Sequence, residues 1–381
     1  MDGIAFLSEL MRTRGNILET VLNRSSNFEN LLWLGKGNNF QLAVEAEIPK
    51  EVRAKLIAEK QKFSHVRYEL QVGFDAEANQ IGIDHEVLWL INPDDKLLTP
   101  LSLFPSMKNP PKSLFLHGKN KARIIVKKTL HGNDNYYTEG KQGYMPTWNL
   151  GRKISAMANV PADEERFPVS LWFRDLLSYG VQPFILNSQV IRQPSPPGQG
   201  RAFRPDGSNL PWVIDELRKQ PEQFQRWLRH IQTALEDIAN ITTVVRPEDR
   251  HCYLVIEYKN GATVPSWLIS DGTLRLLALT IPAWLTDLKG TFLIEEPENG
   301  IHPSAIETVI QALSSMYDSQ VLVATHSPVA LNMLRPEDIL CFAKNTDGAT
   351  DIVAGNLHPA LQAWKQGQPE LGVLFASGIL S

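Results

Sequence analysis

The chain reads as an α/β protein: a mixed sheet with flanking helices, interrupted by a largely helical insertion. Three observations predict this. In the last third, the apolar runs Thr291–Ile294 and Gln320–Ala324 are separated by a helix-period segment, Ser304–Tyr317. Buried strands joined through a helix pair in parallel, with helices on both faces. Near the start, Phe40–Ile48 and His65–Phe74 alternate apolar and polar residues as half-buried strands do. Between residues 76 and 240 the texture shifts to Pro- and Gly-rich loops and helical spacing.

The elements follow in order. Ile4, Leu7, Leu10 and Met11 recur at helical spacing, and Gly15 supplies a stop. A second helical patch covers Ile17–Leu22, and a charged helical segment, Glu51–Lys62, lies between the two strands. Loop signals concentrate at Pro93–Lys112 and Gln193–Gly207. Between them, Trp148, Trp172, Phe173, Leu176 and Leu177 provide apolar mass for a small subdomain. Asn209–Ile241 predicts two helices. Ser208 or Asn209 caps the first, Pro221 suits the first turn of the second, and Phe224, Trp227, Leu228, Ile231, Leu235 and Ile238 form its stripe. A short strand, Leu254–Tyr258, and a mostly helical run, Leu274–Leu285, complete the pattern. The expected division is 1–75 and 241–345 as a core, 76–240 as a mixed and helical insertion, and 346–381 as a tail.

Composition narrows the function class. The 381 residues carry a net charge of −4, so no global basic field points to nucleic acid. A basic run, Lys119, Lys121, Arg123, Lys127 and Lys128, has two readings: a nucleic-acid contact or a solvated strand face. Cys252 and Cys341 have neither metal-ligand nor disulfide-framework spacing, which fits a reducing, cytoplasmic setting. No apolar stretch approaches the roughly 20 residues needed to cross a bilayer, so no membrane partner is expected.

The chemistry concentrates in three segments. Thr291–Glu296 is an apolar strand ending in adjacent carboxylates, Glu295 and Glu296. In α/β sheets ligands bind beyond the carboxyl ends of strands. One carboxylate there can hold Mg²⁺, and the other can orient or deprotonate an attacking water. The bland alternative is an acidic strand end in solvent. The second strand, Gln320–Ala324, ends in Thr325-His326-Ser327-Pro328, with His326 as a phosphate- or water-contacting group or an ordinary loop histidine. Upstream, Ser270 and Gly272 open a helix that offers a hydroxyl and unpaired N–H groups to an anion, or is simply capped.

Taken together these segments resemble the ABC-type ATPases. Ser270-Asp271-Gly272 resembles their signature motif, TFLIEEPENGIHP (291–303) their Walker B strand and following D-loop, and ATHSP (324–328) their switch histidine. The branch that the chain resembles is the SMC/ABC-like group of AAA-type ATPases, relatives of those in DNA repair and anti-phage systems. FENLLW at 28–33 is a weaker echo. The resemblance implies ATP and Mg²⁺ as cofactors, with Glu296 as catalytic carboxylate, Glu295 on the metal side and His326 as switch residue. It also implies a nucleotide-sandwich homodimer. Ser270, Gly272 and Asn299 would then reach ATP bound by the partner, and His302 would face the seam. A separate effector protein fits the same family. A fused nuclease does not, since only about 55 residues follow His326, short of a usual domain of roughly 100.

One part of that family's machinery is missing. A P-loop needs G-x-x-x-x-G-K-[ST], but Gly35-Lys36 is followed by Gly37, Gly118-Lys119 by Asn120, and Gly140-Lys141 by Gln142. Residues 1–11 resemble the helix that follows such a loop. The expectation is therefore a chain whose N-terminal strand and P-loop are encoded upstream of Met1. The alternative is a degenerate partner, or a non-catalytic scaffold that keeps the ATPase shape. Either way, the chain as given is expected to hydrolyse ATP weakly or not at all.

Overall fold

The computed structural model describes residues 1–93, 102–106, 112–116, 122–286, 288–364 and 369–380. Lys119, Lys121 and part of the Pro93–Lys112 loop signal lie outside the described residues. The chain separates into two compact units.

The first unit comprises Met1–Leu97 and Asn109–Val181. Its elements are α1 (Asp2–Arg12), α2 (Ile17–Leu22), β1 (Asn39–Glu47), α3 (Lys50–Arg53), β2 (His65–Asp75), β3 (Gln80–Ile91), β4 (Ala122–Thr129), β5 (Asp134–Tyr136), β6 (Thr147–Trp148) and α4 (Pro168–Asp175). The six strands form one antiparallel sheet in chain order, so each pairs with its neighbours in sequence. Helix α1 buries Phe6, Leu7, Leu10 and Met11, the helical stripe expected from their spacing. It ends in a turn where Gly15 has φ +83°, and an added Cβ would lie 2.8 Å from Ser155 N.

Glu51–Lys62 does not form the expected helix. It gives only α3 and a 3-10 turn at Ala58–Lys60. Between these, Ile57 is extended and donates its N–H to Glu139 O at 3.1 Å. A long-range backbone bond replaced the helical one, in a segment with no apolar stripe to hold a helix in place. The described part of the basic run lies on β4. Arg123 is exposed and Lys127 half-buried, whereas Lys128 is buried and paired with Asp134 at 2.6 Å. Lys128 is thus neither part of a solvated face nor available to nucleic acid.

The second unit comprises Leu98–Lys108 and Gln182–Ser381. Its elements are β7 (Val181–Phe184), α5 (Ser188–Ile191), α6 (Leu210–Arg218), α7 (Pro221–Gln232), β8 (Ile238–Val245), β9 (Cys252–Tyr258), β10 (Thr263–Pro265), α8 (Asp271–Thr280), β11 (Gly290–Glu295), α9 (Pro303–Ser314), β12 (Ser319–Ala324), α10 (Pro328–Asn332), β13 (Leu340–Lys344), β14 (Thr350–Ala354), α11 (Pro359–Gln362) and α12 (Leu371–Ala376). Strands β10-β9-β8 form one sheet, β12-β11-β7 a second, and β13 and β14 an antiparallel pair. Trp227, Leu254, Leu277, Phe292 and Val309 belong to one core. Burying side chains of that size stabilises by roughly 1.5–3 kcal/mol each.

Two local expectations shift. The apolar stripe of Phe224–Ile231 is helical, but α7 stops at Gln232 and Ile238 opens β8. Ile238 is buried either way, so its burial alone did not distinguish helix from strand. Asn209 occupies the N-cap of α6 without capping it. Its Oδ1 accepts from Arg204 N at 3.0 Å, and its Nδ2 donates to Ala202 O at 2.7 Å. Pro221 stands in the first turn of α7, as its fixed φ favours. Both cysteines are free and buried, and burial pushes the Cys252 thiol up to about 12. Among the described residues no helix is long and apolar enough to cross a membrane.

Candidate active site

The parallel pair β11 and β12 builds the frame. Their register runs from Gly290↔Ser319 to Glu295↔Ala324, so both strands end at the same edge of the sheet. Phe292, Leu293 and Ile294 are buried, and Glu295 is the first exposed residue of the strand. Apolar residues anchor the strand, and the carboxylate emerges only where the sheet stops.

Glu296 lies just beyond that edge with φ +45°, a left-handed conformation that costs a non-glycine residue of order 1–3 kcal/mol. Three contacts hold it there. Its N–H donates to Ala324 O at 2.7 Å, its carbonyl accepts from Asn299 N at 3.0 Å, and its carboxylate accepts from Asn299 Nδ2. The turn then leads into α9. There His302 sits at the N-cap and its Nδ1 accepts from Ser304 N at 3.3 Å.

The end of β12 is tied to the same turn by Glu298. Its Oε1 accepts from Thr325 Oγ1 at 2.8 Å and from the backbone N of His326 at 2.9 Å. Its Oε2 is buried without a hydrogen-bond partner among the described residues. His326 itself is exposed, and its ring lies 6.3 Å from that of Phe375. Ser327 caps α10 by accepting from Ala330 N at 3.3 Å.

Helix α8 begins beside this turn. Ser270 is its N-cap, with Oγ accepting from Thr273 N at 3.2 Å, and it remains exposed. A Cβ on Gly272 would lie 2.7 Å from Gly300 O. The absence of a side chain at 272 lets the helix start approach the turn after β11. The sequence-predicted residues therefore fall into one neighbourhood. Glu295, Glu296, Asn299 and His326 lie at the shared strand edge, and Ser270 and Gly272 open the helix packed against that turn.

Glu298 escaped the sequence reading, though it stands two residues beyond the carboxylate pair in EEPEN. Arg192 escaped it too. Its guanidinium meets the Asp271 carboxylate and donates to Trp267 O at 3.1 Å, steadying the start of α8. Seventy-nine residues separate Arg192 from Asp271, and no local pattern signals such a pair.

The donor set fits one half of a Mg-nucleotide site. Among the described residues no three His, Cys, Asp or Glu side chains are grouped to enclose a metal. An all-oxygen edge offering one or two carboxylates suits Mg²⁺, which keeps most of its waters. The phosphate half does not fit. No Gly-Lys pair continues into Ser or Thr. The open cleft of about 530 Å³ bordering α8 is lined by Asp206 and by Asp271, the latter already paired with Arg192, and no Lys or Arg lines it to meet a phosphate.

Residues 156–332 match the family model described as "AAA domain, putative AbiEii toxin, Type IV TA system". No curated protein matches the chain. Among solved structures, the chain is similar to an SMC head bound to the C-terminal winged-helix domain of ScpA. That match has 11% identity and a TM-score of 0.47, over 94% of this chain and 88% of that one. It is similar to the SMC head domain from Thermotoga maritima at 11% identity and a TM-score of 0.31, over 76% and 74% of the two chains. A third match comes from work on ATP-driven dimerisation and DNA-stimulated activation of SMC ATPases. It has 15% identity and a TM-score of 0.26, over 38% of this chain and 99% of that one.

Proposed function

We propose that the chain, whose residues 156–332 match the model of an AAA domain, is an ABC/SMC-like ATPase subunit that supplies the hydrolytic edge of a nucleotide-sandwich dimer. The observation that carries the reading is the parallel register of β11 and β12, which delivers two carboxylates and a histidine to one edge. Glu295 holds Mg²⁺, directly or through water. Glu296, held in its strained turn by Asn299, orients the attacking water and accepts its proton. His326 donates to the terminal phosphate or steadies the water. Ser270 and Gly272 face a nucleotide held by the partner, and Asn299 and His302 lie toward the seam. Mg²⁺, when bound, neutralises charge on the phosphates.

Hydrolysis by this chain alone is weak or absent, because no Gly-Lys pair in its sequence continues into Ser or Thr, and among the described residues none replaces the backbone donors and Lys of a phosphate cradle. A setting in defence or DNA repair follows from the same resemblance. The missing cradle equally favours a second reading, a non-catalytic scaffold that assembles with a separate effector.

Mn²⁺ added in place of Mg²⁺ separates the two readings. On the ATPase reading it broadens the NMR signals of His326 and of residues following Glu295, and E295Q with E296Q removes the broadening. Selective broadening absent from the unmutated chain sinks the metal assignment and leaves the scaffold. Turnover of Mg-ATP at an ordinary enzymatic rate by the chain alone overturns the claim that it is weak.

A further inference from the structure

The far C-terminal segment reaches the candidate site. Helix α12 packs on α10, the helix that begins two residues after His326. At the contact, Gly372 N donates to Asn332 Oδ1 at 2.8 Å. A Cβ on Gly372 would lie 2.2 Å from Pro328 O, so only glycine allows this approach. Leu371, Leu374 and Leu380 are buried in one cluster with Leu331 of α10 and with Ile339, Cys341 and Val353. On the same helix Phe375 is half-buried, and its ring faces that of His326 at 6.3 Å with the planes inclined by 32°.

His326 is thus held at two points. Its backbone N–H is fixed by Glu298, and its otherwise exposed ring has Phe375 as its aromatic neighbour. An exposed imidazole with no hydrogen bond to its ring among the described residues is free about both side-chain torsions unless a neighbour restricts it.

We propose that residues 371–380 are a positioning segment of the site at the end of β12. Phe375 sets the orientation of the His326 ring, and Gly372 sets how closely the segment seats on α10. This rests on the reading of His326 as a site residue. Phe375 acts through His326, so it is a positioning residue and not a catalytic one. Displacing the segment then alters the site without touching either carboxylate.

The test follows the ring protons of His326 by NMR in the full chain without nucleotide, with His326→Gln assigning the signal. Phe375→Leu removes the ring and keeps apolar packing. It is expected to shift the His326 Cε1–H resonance by more than its line width. Phe375→Tyr, which restores a ring, should bring the resonance back toward its original position. Val373→Ala, at an exposed position of the same helix, should leave it in place. An unmoved resonance in Phe375→Leu overturns the proposal. So does an equal shift in Val373→Ala, which would mean general loosening. The measurement contains neither ATP nor metal, so failure of the ATPase reading leaves its outcome intact, and its failure leaves the ATPase reading intact.

Discussion

At the scale of single residues, the candidate site is held by side chains that do no chemistry themselves. Glu298 is the clearest case, since one carboxylate oxygen receives both the Thr325 hydroxyl and the His326 N–H. Hydrogen bonds to a charged group contribute about 1.5–3 kcal/mol net each, and removing the acceptor strands two donors. Glu298→Ala should therefore lower the stability of the second unit by about 2 kcal/mol, read as a lower urea midpoint with unchanged slope. A midpoint equal to that of the unmutated chain would show that water replaces the carboxylate without loss. Gly272 acts by what it lacks. With Gly300 O 2.7 Å from where a Cβ would be, its glycine character has a reason within this one chain.

At the scale of elements, α4 is the most instructive helix, because its start is neutralised from a distance. Glu139 is fully buried and accepts from Val169 N at 2.6 Å and Ser170 N at 3.1 Å. Burial outweighs these bonds and pushes its carboxyl from the ordinary 4.5 up to about 7. The folded chain thus keeps a proton that the unfolded chain loses near its ordinary value. Between those two pKa values the folded state binds more protons, so stability falls as pH rises through that window. The loss is on the order of 3 kcal/mol. Glu139→Gln should flatten this slope in unfolding of the first unit followed from about pH 4 to about pH 8. A slope unchanged in the variant would assign the pH dependence elsewhere.

Elements of this kind divide sharply in how far the sequence disclosed them. The stripes of α1 and α7 and the strands β2, β11 and β12 were legible, because apolar periodicity is a local property. The strand-end places of the carboxylate pair and His326, and the cap position of Ser270, were legible because each stands at the end of such an element. Glu51–Lys62 was not, since a backbone bond from Ile57 to Glu139 decided its shape, and a partner 82 positions away leaves no local trace. Lys128 misled for the same reason. Its partner Asp134 turns a charge that reads as surface into a buried ion pair.

At the scale of the whole molecule, the two units differ in what their sheets require. The first closes six strands between sequence neighbours, with Val66, Tyr68, Leu70 and Leu88 fully buried on β2 and β3. The second assembles its β12-β11-β7 sheet from strands far apart in the chain, around Trp227, whose Nε1 donates to Thr280 Oγ1 at 3.1 Å. Each unit has its own core, and chains of more than about 150 residues commonly lose single-step unfolding. Two urea transitions are therefore expected. Trp227 reports the second unit, and Trp89, bonded through Nε1 to Glu69 at 3.0 Å, reports the first. Trp227→Phe should reduce the fluorescence change of one transition and leave the other as it is, and Trp89→Phe should do the reverse. The Glu139 slope should appear only in the transition that Trp89 reports, because Glu139 belongs to the first unit. Coincident transitions with a shared pH slope would instead mean that the 381 residues unfold as one cooperative body, and the separate-core reading would fall.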